Sequence, residues 1–433
     1  MKLTIRGYKS ISTATEIELD GLTILSGANS SGKSSFMQPF LLLKQTEETN
    51  FDTGAILLDG ANARISDSTE ALSRVRGRKS RTFSIKVADG DRSSAITFRR
   101  DPDAGLVTGH VEMIDKEMPD GLRISPGMKH VEIESQFSNK NNPFVKFFDQ
   151  KNSNKAQWKI VRNKCFLDIE YGQEDRKFSP FKFGIAPAAA IQKFVKSLIH
   201  VPGLRGNPER AYRIADSGTV FPGSFESYVA SIISKWKSDP KQQNKFSLLV
   251  SDLANLGLAS SIETHRINDT RLEVRVSRHS GCSVVDSVNI ADVGFGVSQA
   301  LPVLVALLAA KEKQVVYIEQ PELHLHPRAQ HRLARIIARA IAAGVRVVIE
   351  THSSILLRGI QTLVANGTLD RDRVALYWFR QDTKSGRSVV SQAKLDAQGA
   401  FGDWPADFDE VSLDAEDEYL NAVEESLRAR EKA

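Results

Sequence analysis

Gly27-Ala28-Asn29-Ser30-Ser31-Gly32-Lys33-Ser34, followed by Ser35, is the stretch that decides the fold of this chain. It fits G-x-x-x-x-G-K-S, and its surroundings are those the motif requires. Leu22–Leu25 before it is a short apolar run with strand character; after it Phe36, Met37, Phe40, Leu41 and Leu43 supply the apolar face of a helix. Glycines at both ends let the backbone wrap until successive N–H groups face an anion, and the following helix turns its positive end to the same point. Lys33 is expected to reach the β- and γ-phosphates of a nucleotide, and the Ser34 hydroxyl to coordinate Mg²⁺. The expected phosphate-binding set is Gly27, Asn29, Ser30, Ser31, Gly32, Lys33, Ser34 and Ser35.

Upstream, Leu3–Ile11 alternates, and Glu16–Ser26 is broken by the turn pair Asp20-Gly21, so two strands precede the loop. Downstream, Ala55–Leu58, Thr82–Val87 and Ser94–Arg99 read as strands of a half-exposed, largely antiparallel sheet. The stretch 138–155, rich in Asn, Lys and Phe, differs in composition from both flanks and suggests an insertion, with helices over Ile191–His200 and Phe225–Lys237. Order sharpens again with a helix over Phe246–Leu256, strands over Leu272–Ser277 and Ser283–Asn289, and a helix over Ser298–Lys311. Val315–Gln320 (strand), Arg328–Ala343 (helix) and Val345–Ser353 (strand) then make a βαβ unit on a parallel sheet, and Ala375–Phe379 offers a further strand. Ligands of such sheets bind at the carboxyl ends of the strands. That places Glu319 as the carboxylate for the metal, directly or through water.

The chain has 433 residues, 58 Lys+Arg against 53 Asp+Glu, 41% hydrophobic and 26% charged residues. These values exclude global disorder and a disulfide-stapled miniature fold. Two cysteines, Cys165 and Cys282, cannot build a disulfide framework and agree with a reducing compartment; the N-terminus lacks an apolar signal core, so a cytoplasmic location without membrane association is expected. Charge is uneven. Residues 122–200 carry 14 basic and 7 acidic side chains, and residues 401–433 carry 3 and 11. Arg74, Arg76, Arg78, Lys79 and Arg81 crowd five cations into eight positions, which suits a solvated face, a subunit docking surface or a nucleic-acid surface. Expected divisions are residues 1–120 (ATPase lobe with the phosphate loop and an antiparallel sheet), 121–245 (lysine-rich insertion or helical subdomain), 246–380 (second ATPase lobe) and 381–433 (closing segment with an acidic tail).

Taken together, GANSSGKSS, DVGFGVSQALPVL, IEQPELHLHP and ETHS resemble the ATPases of the ABC/SMC-like superfamily, in particular the AAA branch that holds the overcoming-lysogenisation-defect nucleases and stand-alone ATPase subunits of prokaryotic anti-phage defence. FGDWPADFDE is similar to the closing segment of a subgroup of that branch. The resemblance covers residues 1–60 and 285–410 and says little about 120–240. It implies an α/β fold of the ABC ATPase-head type: a mixed and parallel core sheet, an antiparallel N-terminal subdomain and a helical or mixed insertion. It also implies ATP with Mg²⁺ as cofactors, sandwiched between the phosphate loop of one subunit and a signature segment of another. Here that segment is Gly294–Gln299, with Gly296, Ser298 and Gln299 facing the γ-phosphate; on the residues alone Ser298 could equally cap the helix. His352 takes the role of the switch histidine on the γ-phosphate and attacking water. His324 and His326 have metal-ligand spacing, but no cysteine stands near them, and the family uses this loop as a dimer contact.

Two departures shape the functional expectation. The position after the metal carboxylate is usually glutamate and is Gln320 here; an amide can position water but cannot take its proton, so slow hydrolysis is expected. Glu322 and Glu350 are near in sequence and could compensate. After His352 only 81 residues remain, too few for the Toprim metal domain of the nucleases, and Asp407-Phe408-Asp409 sits in a Trp/Pro-containing stretch. The expected function is therefore a nucleotide-gated ATPase dimer or higher oligomer acting on a separate effector protein, or on nucleic acid. The alternative is a non-hydrolysing scaffold that restrains a toxic partner. A DNA clamp with long coiled-coil arms is excluded by the lack of heptads in 60–290.

Overall fold

Leu22–Gly27 is buried at all six positions, and a strand of that kind needs partners on both edges and cover on both faces. In the computed structural model it has them. Described are residues 1–75, 77–137, 156–173, 183–216, 218–277 and 287–401.

In chain order, β1 (Lys2–Arg6) and β2 (Thr15–Glu18) lead into β3 (Leu22–Gly27) and α1 (Lys33–Glu48). A small hairpin, β4 (Arg74–Val75) and β5 (Arg78–Lys79), precedes β6 (Thr82–Asp89), β7 (Arg92–Asp101), β8 (Gly105–Ile114) and β9 (Leu122–Ile124). Next come α2 (His130–Ser135), β10 (Ala156–Asn163), β11 (Phe166–Gln173), β12 (Phe183–Ile185), α3 (Ala189–Ser197), β13 (Ile199–Val201) and β14 (Tyr212–Arg213). The pair α4 (Glu226–Ser238) and α5 (Gln243–Asn255) is followed by β15 (Ser261–Arg266), β16 (Arg271–Ser277) and β17 (Val288–Asn289). The chain continues through α6 (Phe295–Ala309), β18 (Val315–Glu319), α7 (Pro327–Ala342), β19 (Arg346–Glu350), α8 (Ser354–Ala365), β20 (Val374–Gln381) and β21 (Ser388–Lys394).

The core sheet has the order β13-β18-β19-β3-β20-β21, parallel except for β21. The order β2-β1-β6-β7-β8-β9 makes a separate, wholly antiparallel sheet. Successive side chains of a strand point to opposite faces, and the core sheet therefore divides two hydrophobic cores. Val315 and Tyr317 of β18 join α1, α3 and the antiparallel sheet, while Val316 and Ile318 join α4 to α8. This is the α/β architecture expected from the sequence, with its antiparallel N-terminal subdomain and helical additions.

Local departures have local causes. The first strand stops at Arg6, because Gly7 turns with φ +79° so close to the next strand that a Cβ would stand 2.7 Å from the Thr82 carbonyl oxygen. Ala55–Leu58 is not a strand; Ile56 N–H donates to Leu106 O, and Leu57 N–H is taken by the Thr46 hydroxyl. The helix expected over Ile191–His200 ends at Ser197, and Ile199–Val201 instead pairs in parallel with Val316–Ile318 at the sheet edge. Helix α6 begins three residues earlier than expected, with Gly294 at its N-cap. Of the strand expected over Ser283–Asn289, residues 287–289 are described and only Val288–Asn289 is strand; Cys282, Asp407-Phe408-Asp409 and the acidic tail lie outside the described residues. Among the described residues no helix is long and apolar enough to cross a membrane.

Candidate nucleotide-binding site

The phosphate loop runs from the end of β3 to the start of α1 and is held by crowding that only glycine tolerates. Gly27 has φ +138°, and a Cβ there would lie 2.0 Å from the Phe379 carbonyl oxygen on β20. Gly32 has φ +104° and would meet the hydroxyls of Ser388 and Ser10 at 2.2 and 2.7 Å. Ser30 also takes a left-handed φ of +61°. Lys33 is buried and folds back, its Nζ donating to the carbonyls of Gly27 (3.0 Å) and Ala28 (2.7 Å). Burial pulls its ammonium below the ordinary lysine range, and the Glu350 carboxylate partly offsets this. The Ser31 side-chain oxygen is buried without a hydrogen-bond partner among the described residues. Asn29 is exposed beside it and Ser35 is half-buried.

Ser34 does not meet Glu319. Its hydroxyl donates to Glu350 Oε1 at 2.8 Å, and Tyr317 OH donates to Glu350 Oε2 at 3.1 Å. Glu319 lies abreast of Glu350 across β18 and β19, and it accepts from His200 Nε2 (3.2 Å) and from the Gly203 N–H (3.1 Å). The two carboxyls are driven apart. Burial works against the Glu319 charge, but the bonds from His200 and Gly203 outweigh it and hold this carboxyl below its ordinary range. Burial and the neighbouring Glu319 charge push Glu350 up, although Ser34 and Lys33 act the other way. Among the described residues no group of three or more His, Cys, Asp or Glu side chains could hold a metal unaided. Two carboxylates and a serine hydroxyl suit Mg²⁺, which binds through one or two carboxylates and completes its shell with water and substrate phosphate.

Gln320 follows at the end of β18 with φ +45°; its N–H donates to Glu350 O at 2.7 Å. Glu322 binds the next loop: its Oε1 accepts from Thr351 Oγ1 (2.8 Å) and from the His352 N–H (3.1 Å). Thr351 N–H in turn donates to Leu25 O, and Ser26 Oγ donates to Thr351 O, so β3 and the His352 loop are tied together. His352 is partly buried; burial first, and the Lys33 charge second, keep its imidazole below the ordinary range and hence neutral at pH 7. His326 caps α7, Nδ1 accepting from Arg328 N–H, which is a structural use of that loop.

In the signature segment, Ser298 sits in the first turn of α6 and donates to Phe295 O at 3.0 Å; it does not cap the helix. Gly296 lies beside the Leu258 side chain and His324 O, where a Cβ would stand 3.3 and 3.4 Å away. Gln299 points inward. It is 3% exposed, and its amide donates to the carbonyls of Gly206 (3.3 Å) and Arg205 (3.5 Å). β13 itself, which brings His200 to this site, and the loop after it, which brings Gly203 and Arg205, carry no motif, and reading the sequence missed them. Arg74, Arg78, Lys79 and Arg81 are exposed on and beside the β4–β5 hairpin.

A family model described as "AAA domain, putative AbiEii toxin, Type IV TA system" matches residues 22–358. The chain belongs to that AAA-domain family. The match starts at the first residue of β3 and ends beyond His352, so it contains the phosphate loop, Gly296, Ser298, Gln299, Glu319, Gln320, Glu350 and His352. No curated protein matches this AAA-domain chain. Similar solved structures include an SMC head bound to the C-winged helix domain of ScpA, with 12% identity, TM-score 0.45, and 91% of this chain and 97% of that one covered. The SMC head domain from Thermotoga maritima has 9% identity, TM-score 0.37 and coverage of 91% and 98%. An SMC head with an extended coiled coil, bound to the C-terminal domain of ScpA derived from Pyrococcus furiosus, has 12% identity, TM-score 0.42 and coverage of 91% and 96%. The fold of the AAA-domain protein is read from its own strand order.

Proposed function

We propose that this AAA-domain protein binds ATP with Mg²⁺, closes as a dimer around it and, through slow hydrolysis, times its hold on a separate effector protein, in the manner of anti-phage defence ATPase subunits. One observation carries the reading. The glycine-locked loop with Lys33 and Ser34, the paired carboxylates Glu319 and Glu350, and the Thr351–His352 loop converge at the carboxyl ends of adjacent strands. Ser34 with Glu350 and Glu319 would hold Mg²⁺, which when bound supplies charge neutralisation between the phosphates. Lys33 exchanges its two carbonyl partners for phosphate oxygens, and neutral His352 can accept a hydrogen bond or a proton from water. Gly296 and Ser298 would face the nucleotide of the second subunit, with residues 1–120 and 246–380 acting as the ATPase lobes.

Gln320 favours a second reading, in which ATP binds and is barely turned over while the protein restrains a toxic partner. Two measurements on the full chain test the primary reading: ATP-dependent association by light scattering, and phosphate release. Lys33→Ala should abolish binding of a fluorescent ATP analogue and with it association. Wild-type-like affinity in that variant would remove the phosphate-loop assignment. Association without any phosphate release would select the scaffold.

A further inference from the structure

Arg205 is 6% exposed, yet among the described residues it forms no hydrogen bond to a carboxylate. Its guanidinium donates to three backbone carbonyls on two successive elements: Gln299 O near the start of α6 (3.2 Å), and Glu319 O (2.9 Å) and Gln320 O (3.2 Å) at the end of β18. The Gln299 amide answers by donating to the carbonyls of Arg205 and Gly206. Burial lowers the guanidinium pKa to about 10, which leaves it protonated at neutral pH, with the charges of Glu226, Glu322 and Glu319 nearby. A rigid planar fork spanning two elements transmits displacement better than a flexible ammonium would. The residue at one end of the fork is Gln320, whose left-handed backbone has to be held from outside.

We propose that Arg205 is a positioning residue that couples the signature helix to the Gln320 backbone, so that closure of α6 over the partner subunit's nucleotide sets the water-facing geometry at this subunit's own nucleotide. This rests on the dimer reading above. The strut makes the two nucleotides of the dimer interdependent, although they never share a residue.

The test follows amide hydrogen exchange in the full chain with and without ATP, beside single-turnover phosphate release. In the wild type, ATP should protect both residues 295–301 and residues 319–325. Arg205→Met should keep affinity for a fluorescent ATP analogue within about threefold and keep protection at 295–301, but lose it at 319–325. Its phosphate release should fall roughly 10–100-fold, the scale of a misplaced reacting geometry. Arg205→Lys should recover part of this. Gln299→Leu, which leaves the buried charge in place, should show a smaller loss of the same kind, and the double variant should be no slower than Arg205→Met alone. Should Arg205→Met fail to fold, judged by circular dichroism, the lysine and Gln299 variants carry the same comparison. Retained protection at 319–325 in these variants, or additive losses, would overturn the coupling alone. A wild type that does not associate with ATP would overturn the dimer reading and the coupling with it.

Discussion

Gln320 occupies a strained position next to Glu319, whose carboxyl is held below its ordinary range, and is hydrogen-bonded to the backbone of Glu350, whose carboxyl is pushed above it. Its φ of +45° costs a non-glycine residue of order 1 kcal/mol or more, and the Glu350 carbonyl and the Arg205 guanidinium grip its N–H and C=O. Its side chain lies against Gly203, where an added Cβ would stand 3.5 Å from Gln320 Oε1. Replacement by glutamate puts a third carboxyl beside Glu319 and Glu350. Like charges close by raise the pKa of a carboxyl, toward the range of a useful base. Gln320→Glu is therefore expected to speed single-turnover phosphate release by about 10²-fold, the low end of general-base assistance. An unchanged rate would move the proton-accepting role to His352 or Glu350. A slower variant would make the amide itself the tuned group. The identity of Gln320 was legible in the sequence because it departs from a known pattern beside Glu319, whereas its backbone strain and its two supports arise only from the packed strands.

At the level of elements, the loop after β18 and the loop after β19 behave as one piece because Glu322 joins them. Burial pushes the Glu322 carboxyl up, and its Oε2 is buried without a hydrogen-bond partner. A carboxyl with a higher pKa folded than unfolded binds more protons in the folded state. Its contribution to stability is therefore lost as pH rises from the ordinary carboxyl range through the raised value. Glu322→Gln removes that loss and keeps the Oε1 acceptor; its Tm should exceed the wild type at pH 7, and the gap should close toward pH 4. Glu322→Ala leaves the Thr351 O–H and the His352 N–H without their acceptor, which should cost about 1–3 kcal/mol in denaturant unfolding and slow phosphate release. A rate unaffected in the alanine variant would separate His352 placement from turnover. The strands that carry this site were readable because buried parallel strands are short apolar runs, and Val315–Glu319 and Arg346–Glu350 stand out as such. Ile199–Val201 did not, since three apolar-flanked residues continue the pattern of the preceding helix and only pairing with Val316–Ile318 makes them a strand. With that strand went His200, Gly203 and Arg205. The Ser34–Glu350 bond was hidden for a related reason: which carboxylate faces the loop depends on sheet order, and β19 lies between β18 and β3.

On the scale of the whole molecule, the core sheet is a partition with one nucleotide-related helix on each side. Phe36, Met37 and Phe40 anchor α1 in the core shared with the antiparallel sheet, while Val297, Ala300 and Leu301 anchor α6 in the core shared with α7 and α8. Such a division supports the reading in which α6 serves the nucleotide of a second copy. The first turn of α6 is built as a surface: Phe295 is 52% exposed and its ring lies 6.0 Å from His324 in the loop before α7, while Ser298 on the same turn is only partly covered. Ser298→Arg adds bulk and charge to that surface without touching β3 or α1. Nucleotide affinity of the isolated subunit, measured with a fluorescent ATP analogue, should stay within about threefold, since the Lys33 loop is unchanged. Association in ATP should be lost at concentrations where the wild type associates, because a desolvated unpaired guanidinium at an interface costs several kcal/mol. Light scattering and crosslinking with and without ATP read the two effects separately. Loss of nucleotide affinity together with helix content would mean that Ser298 serves the fold of its own chain. Intact association would mean that this turn faces solvent in the assembly and that the second subunit approaches the nucleotide from elsewhere.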